Sequence, residues 1–291
     1  MTARIHLALA FDDNFWAPAY ATMRSVCLAS RRKPDLVFHL CHPALSRNSI
    51  VDLERIGTEF GVTLVHHDLD ADADYRHFAA SLPHTRHISA VMYARMLFDR
   101  IIPKEVDRLI YLDCDVLVRA PIEELAGADL QGRPLGAVKE LNAWRFVHGR
   151  DAAANHDLFD SAEPMFFSGM LVIDLAAWRK IDMATTLREL EANGTLARFL
   201  NDQQILNYIF KGRWTRLDGR WNMLARGRAI EVLDPALVHY SGPNKPWNLI
   251  SGLPFARTYR HVMTNELFYR YMRHRWARWW LGLPGRLFGR R

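Results

Sequence analysis

Two aspartates separated by one residue follow a four-residue apolar run, Leu109 to Leu112, in Tyr111-Leu112-Asp113-Cys114-Asp115-Val116. In an extended segment, residues i and i+2 point to the same side, so Asp113 and Asp115 present two carboxylates together. Like charges that close repel unless a cation sits between them. Carboxylate oxygens suit magnesium or manganese. An ion held there can bridge a diphosphate and neutralise the charge that develops as a phosphate leaves. The competing account is a solvated turn with two capping aspartates. Position after a buried strand favours chemistry, because ligands bind at that end of open parallel sheets.

Four further groupings carry chemically useful residues, each with an ordinary structural account beside it. In His239-Tyr240-Ser241-Gly242-Pro243-Asn244-Lys245-Pro246-Trp247, a strand delivers a histidine, Gly242 allows close backbone approach and Lys245 supplies a cation. The same residues also suit a strand end, a turn and a surface lysine. In Asn201-Asp202-Gln203-Gln204, Asn201 or Asp202 suits a helix cap, with Ile205, Leu206, Ile209 and Phe210 as the buried stripe. Arg86, within Thr85-Arg86-His87-Ile88-Ser89, could meet a diphosphate or a sugar hydroxyl, or lie on a surface loop. Near the C-terminus, Met272, Trp276, Trp279, Trp280 and Leu283 recur on one helical face, with Arg270, His274 and Arg278 roughly opposite and Pro284 ending the pattern. That is either an interfacial helix for an anionic membrane or a helix whose tryptophans dock on the main domain.

The elements that must position these residues alternate between strand and helix. Ile5 to Phe11 reads as a buried strand closed by Asp12-Asp13-Asn14, Ala17 to Leu28 as a helix and Leu36 to Leu40 as a strand. Ser49 to Phe60 reads as a helix closed by Gly61, and Val62 to Val65 as a third strand. This rhythm predicts a parallel sheet with helices on both faces. Further on, Ser89 to Asp99 reads as a helix capped by Ser89 and Leu135 to Val138 as a strand, while Met165 to Leu175 is mostly apolar and flows into Ala176-Ala177-Trp178. Asp202 to Phe210 then reads as a helix and Ala236 to Tyr240 as a late strand. Asn155 to Pro164 is polar and irregular, which fits a functional lid. Glu140 and that segment are candidates for the acceptor side by position alone.

Composition bounds the rest. The chain has 291 residues, 49% hydrophobic and 24% charged, which suits one large α/β domain with a small addition. The formal net charge is +6, yet from Leu267 onward there are seven arginines and no acid, and removing those seven leaves −1. A uniformly basic nucleic-acid-binding surface is therefore not indicated. Cys27, Cys41 and Cys114 show no C-x-x-C spacing, which argues against a disulfide framework or zinc ribbon and fits a reducing compartment. The start, Met1 to Phe11, lacks a cleavage pattern and reads as a strand. No run reaches the ~18 apolar residues of a membrane span.

Taken together, six blocks resemble glycosyltransferase family 8, most closely its bacterial lipopolysaccharide/lipooligosaccharide galactosyltransferase and glucosyltransferase branch. They are Ala10 to Phe15, Arg86 to Ser89 continuing to Tyr93-Ala94-Arg95, Tyr111 to Val118, Phe166 to Trp178, Asn201 to Asn207 and His239 to Trp247. They keep the family's order and cover roughly Arg4 to Asn248. The resemblance implies a GT-A fold with a mostly parallel central sheet. It implies a UDP-sugar donor, UDP-galactose or UDP-glucose, and a manganese ion, with magnesium as the alternative. It implies Asp113, Asp115 and His239 as metal ligands, with Cys114 between the aspartates in the donor-binding segment. Asp12 and Asn14 match uridine-holding positions, Phe15 a uracil-stacking aromatic, and Gly242 and Lys245 the diphosphate contacts. Arg86, Asp202 and Gln203 match residues around the donor sugar, with Gln203 closest to the anomeric carbon, whose configuration the family retains. One departure stands out. Where the family has Phe-Asn-(Ser/Ala)-Gly, this chain has Phe166-Phe167-Ser168-Gly169. Phe167 cannot hydrogen-bond a sugar hydroxyl, which leaves the hexose open.

The expected organisation is a GT-A catalytic domain over 1–248 and a basic, aromatic helical extension over 249–291. The expected reaction is hexose transfer to a saccharide or glycolipid acceptor in cell-surface glycan synthesis. The expected location is the cytoplasm, peripheral at the inner face of the cell membrane. The alternatives are a sugar-nucleotide pyrophosphorylase, which the absence of glycine in Asp12-Asp13-Asn14 disfavours, and a membrane-associated UDP-sugar-binding or self-glycosylating priming protein.

Overall fold

A computed structural model describes residues 3–82, 89–141, 155, 157–160 and 162–281. Its strands are β1 (Ile5–Ala10), β2 (Leu36–His42), β3 (Thr63–Asp68), β4 (Arg108–Leu112), β5 (Val116–Val118), β6 (Leu135–Lys139), β7 (Phe166–Asp174), β8 (Trp214–Arg216), β9 (Met223–Leu224) and β10 (Leu237–His239). The helices are α1 (Trp16–Ala29), α2 (Arg47–Phe60), α3 (Ala73–Ser81), α4 (Phe98–Ile101), α5 (Glu123–Ala126), α6 (Leu175–Arg179), α7 (Met183–Ala192), α8 (Asp202–Ile209), α9 (Ala256–Met263) and α10 (Asn265–Leu281).

The central sheet runs β3-β2-β1-β4-β7-β6-β8. All its strands are parallel except β7, which is antiparallel to both β4 and β6. The mostly apolar stretch Met165 to Leu175 forms β7, and nothing in it signals the reversed direction. Leu7 and Leu9 join one core with α1 and α2, while Ala8 between them joins a second core with α3, α6 and α7. That is the alternation expected of a sheet covered on both faces. A small sheet, β5-β10-β9, stands beyond the end of β4.

Helix α2 begins at the cap Ser46, whose side chain accepts from the Ser49 N–H, and ends at Gly61 with φ 68°. Only glycine adopts that left-handed cap without a steric penalty. The helix predicted over Ser89 to Asp99 is instead a 3-10 helix, Ala90–Leu97, followed by α4. Six of its eight side chains, Arg95 among them, are buried. Arg95 Nε donates to the Met92 carbonyl at 3.0 Å.

Helix α10 divides the C-terminal aromatic face. Leu267, Phe268, Tyr271 and Met272 belong to the same core as Leu7 and Leu9, whereas Trp276, Trp279 and Trp280 are exposed. Met272 therefore packs inward rather than with the tryptophans. The opposite face meets the body, with Arg270 on Asp52 at 2.5 Å and His274 edge-on to Trp16. Leu283 and Pro284 lie outside the described residues. Among the described residues, no helix is long and apolar enough to cross a membrane.

Candidate active site

The aspartate pair occupies the two-strand corner between β4 and β5. The Asp113 N–H donates to the Gly169 carbonyl of β7 at 2.9 Å, and the Tyr240 N–H donates to the Asp115 carbonyl at 2.9 Å. Antiparallel pairing of β5 with β10 puts His239 opposite Val116. The imidazole thereby reaches the carboxylates, with Nε2 3.3 Å from Asp115 Oδ1 and 3.8 Å from Asp113 Oδ2. One ligand atom from each of the three residues lies within 4.8 Å of the others.

Two neighbours make this approach workable. Gly169 faces the cluster, and a Cβ there would overlap His239 Cε1 and sit 2.8 Å from Asp113 Oδ2. Glycine is needed for this packing rather than for a special φ. Asn222, at the end of a 3-10 turn (Gly219–Asn222), brings Oδ1 within 2.9 Å of His239 Nδ1. An amide oxygen only accepts, so Nδ1 carries a hydrogen, and Nε2 is the nitrogen that faces the carboxylates. Two carboxylates and one imidazole of fixed tautomer form a donor set that suits a divalent cation.

The charges around the cluster are balanced on two sides. Lys245 Nζ donates to Asp115 Oδ2 at 2.5 Å and to the Tyr240 carbonyl at 2.9 Å. Burial pushes the Asp115 carboxyl up, but His239 and then Lys245 outweigh it and hold Asp115 well below the usual range. On the other side, Arg95 Nη2 donates to Asp113 Oδ1 at 2.8 Å, and its Nε lies 3.2 Å from Asp202 Oδ2. Tyr111 also donates to Asp113 Oδ1, at 2.5 Å, beneath the Arg95 guanidinium. Burial opposes the Arg95 charge, yet the Asp113 and Asp202 carboxylates raise its pKa well above the ordinary value. Burial raises Asp202, with Arg95 opposing. Cys114 points to the Ala10 carbonyl, and burial lifts its thiol far above the usual range.

The Asn201 to Gln204 block splits into two roles. Asn201 is the cap, accepting from the Gln204 N–H at 3.0 Å. Asp202 and Gln203 turn inward and are buried. Gln203 Oε1 accepts from the Ser168 N–H at 3.2 Å, and its Nε2 is 3.5 Å from Glu140 Oε2. Asp202 Oδ2 also takes the Ser168 hydroxyl at 3.4 Å.

The first loop forms a second wall. The Asp12 carboxylate accepts from the Asn14 N–H at 2.9 Å and the Ser89 hydroxyl at 3.1 Å. Phe15 meets the Trp247 ring edge-on at 5.8 Å. Tyr271 of α10 donates to the Asn14 carbonyl at 2.7 Å, so the C-terminal helix steadies this loop. Gly242 takes a left-handed φ of 100° in the turn before Lys245. Phe167, at the departure from the family pattern, packs its ring edge on His239 with centroids 4.9 Å apart. Arg86 lies outside the described residues, as do residues 156 and 161 within the Asn155 to Pro164 segment. Of that segment, Phe159 packs on Phe199 and Tyr208.

Sequence reasoning passed over Arg95, Tyr111, Ser168, Gly169 and Asn222 as site residues. Arg95 offered one signal, a charge inside an otherwise apolar stretch. Asn222 offered none, because its partner is seventeen residues away.

The family model for Glycosyl transferase family 8 matches residues 6–251. The glycosyltransferase GlyF of Streptococcus pneumoniae serotype 4 is 29% identical over 259 residues, which is 85% of this chain but 58% of that protein. The lipopolysaccharide 1,3-galactosyltransferase of Salmonella typhimurium is 22% identical over 276 residues, 90% of this chain and 79% of that protein. The crystal structure of the galactosyltransferase LgtC, in complex with donor and acceptor sugar analogs, superposes with a TM-score of 0.69 at 26% identity. That superposition covers 89% of this chain and 95% of LgtC.

Proposed function

The chain belongs to glycosyl transferase family 8, and from that premise we propose that it transfers a hexose, galactose or glucose, from a UDP-sugar to a saccharide or glycolipid acceptor, with retention at the anomeric carbon. The observation that carries the proposal is the convergence of Asp113, Asp115 and His239 from three separate strand ends. We assign catalysis to residues 1–248 and regard 249–291 as an extension.

Asp113, Asp115 and His239 would hold manganese, or magnesium in its place; the imidazole favours manganese. Bound there, the ion would neutralise the diphosphate of the leaving UDP. Lys245, already beside Asp115, offers a second cation to that diphosphate. Asp12, Asn14 and Phe15 form the wall assigned to uridine. Arg95 fixes Asp113 and Asp202 in one network, so the ligand carboxylate and the sugar-side carboxylate keep a constant separation.

The same network bears on how the configuration is retained. A double displacement needs an available carboxylate beneath the anomeric carbon. Asp202 is committed to Arg95 and Ser168, and Gln203 is an amide. We therefore favour front-face transfer. The acceptor hydroxyl attacks from the leaving-group side, the bond from the anomeric carbon to the phosphate oxygen breaks, and that oxygen takes the hydroxyl proton. Gln203 stabilises positive charge at the anomeric carbon without capturing it. Phe167 bears on the choice of hexose, because an apolar ring stands beside His239 where a hydrogen-bonding side chain would read a hydroxyl.

The test is UDP release from a panel of UDP-sugars with manganese and no acceptor. One or two sugars should turn over, and Asp115→Asn should abolish turnover while circular dichroism stays native. Near-wild-type turnover by that variant in added manganese would overturn the metal assignment.

A further inference from the structure

A second cluster of cations lies where α1, α9 and the start of α10 meet, and it shares no residue with the site above. A crevice of about 460 Å³ is lined by Arg24, Arg257, Arg260, His261, Thr264 and Asn265, with no carboxylate among them. Arg24 is already neutralised, because its guanidinium grips Glu59 at 2.6 Å and also donates to the Val262 carbonyl. Arg257 and Arg260 form no ion pair among the described residues.

Arg260 is nevertheless fixed. Its guanidinium lies 4.1 Å from the Phe268 ring centroid and 4.9 Å from that of Tyr269, and it donates to the Tyr269 hydroxyl at 2.5 Å. Neighbouring cations without a counter-ion repel, so the crevice gains when an anion enters. A guanidinium already held in place loses little side-chain entropy on binding and offers two parallel donors to oxygens of one phosphate. The Thr264 hydroxyl and Asn265 amide add neutral donors at the rim.

Tyr269 also starts an exposed stripe on α10. Tyr269, Arg273, Trp276 and Trp280 follow at steps of four, three and four, which is one helical face. The three aromatic members are each about half or more exposed. The crevice therefore sits at the root of an aromatic surface rather than on an isolated patch.

We propose that this crevice binds a phosphate monoester, with Arg257 and Arg260 as its cationic contacts and the His261 ring lining the same crevice. The ester could come from a lipid headgroup beneath the aromatic stripe or from a soluble metabolite, and the two sources separate experimentally. This proposal does not depend on the transferase reading.

The experiment uses the full chain, glycerol 3-phosphate as the soluble probe, and phosphatidylcholine vesicles with phosphatidic acid or, at matched charge, phosphatidylserine. Arg257→Glu should weaken binding to the phosphomonoester probe by about tenfold or more, and Arg260→Lys, which keeps the charge but loses the fork, should weaken it less. Metal-dependent UDP release should not change in Arg257→Glu. Binding and competition by glycerol 3-phosphate assign a soluble ester; binding of phosphatidic acid vesicles without such competition assigns a headgroup. Three results each overturn the proposal. These are no binding of either probe by the wild-type chain, unchanged binding by Arg257→Glu, and an equal loss on phosphatidylserine, which would reveal only a diffuse cationic surface.

Discussion

Asn222 Oδ1 stands 2.9 Å from His239 Nδ1, and both residues are buried. This one contact decides which imidazole nitrogen faces Asp113 and Asp115. The Asn222 Nδ2 has no hydrogen-bond partner among the described residues, so the amide serves its acceptor alone. Asn222→Leu should weaken manganese binding by roughly 10- to 100-fold, the usual effect of removing a partner that orients a ligand histidine. Asn222→Asp keeps the acceptor and should bind manganese at least as well as the wild type. Free manganese measured by electron paramagnetic resonance reads both directly. Equal affinity in the leucine variant would show that His239 needs no such partner.

Gly169 is the next most constrained position. A methyl group there meets His239 and Asp113 at once, and neither can retreat easily, because Asn222 holds one and Arg95 with Tyr111 holds the other. Overpacking of this kind costs about 1–3 kcal/mol, and a misplacement near 1 Å costs on the order of a hundredfold in rate. Gly169→Ala should therefore melt a few degrees lower and lose about two orders of magnitude in UDP release. Wild-type turnover would mean that the cluster is looser than its contacts imply.

The legible and illegible parts of this molecule differ for physical reasons. Leu109 to Leu112 and Ile5 to Ala10 were readable because strands covered on both faces must be continuously apolar. The aspartate pair was readable because it directly follows an apolar strand, although the chain turns at Cys114 and Asp115 rather than staying extended. The reversal of β7 was not, since strand direction leaves no local pattern. The Asn201 to Gln204 block looked like a cap, and Asn201 is one; what lay hidden was that Asp202 and Gln203 face Ser168 and Arg95 rather than water. Arg95 joins Asp113 to Asp202 across eighteen residues in one direction and more than a hundred in the other. No window of sequence spans such a link.

Acid should weaken the fold through the sheet edge as well as through its carboxylates. His6, His39 and His67, from adjacent strands, form a ladder of ring nitrogens, with His6 Nδ1 to His39 Nε2 at 3.0 Å and His39 Nδ1 to His67 Nε2 at 2.9 Å. Burial, then His67 and His6, hold the His39 pKa down to about 3, and burial lowers His6 and His67 as well. The unfolded chain takes up protons near the ordinary histidine value of 6.5 while His39 stays neutral in the folded chain. Stability is therefore unaffected above that value and falls as pH drops below it, by up to about 1.4 kcal/mol per pH unit for His39, with His6 and His67 adding in the same direction. Denaturant melts at pH 6.5 and 5.0 should differ accordingly, and His39→Asn should flatten the slope. A slope unchanged by that substitution would remove the ladder from the account.

The C-terminal helix makes two separable contributions, and cutting it off would confuse them. Truncation after Asn265 removes Leu267, Phe268 and Tyr271 from the core, together with the Tyr271 contact to the Asn14 carbonyl. Loss of a single buried phenylalanine side chain costs about 3–5 kcal/mol, so the truncated chain should unfold or melt far lower, whatever the tail binds. Trp276, Trp279 and Trp280 are exposed and lie beyond that docked segment. Changing all three to serine should leave stability within about 0.5 kcal/mol, as for most surface substitutions. If their rings insert at the headgroup level of an anionic bilayer, the same variant should lose cosedimentation with phosphatidylglycerol vesicles while UDP release from a soluble donor persists. Binding that survives the triple change would assign vesicle attraction to the arginines alone, and the tryptophans to some other surface.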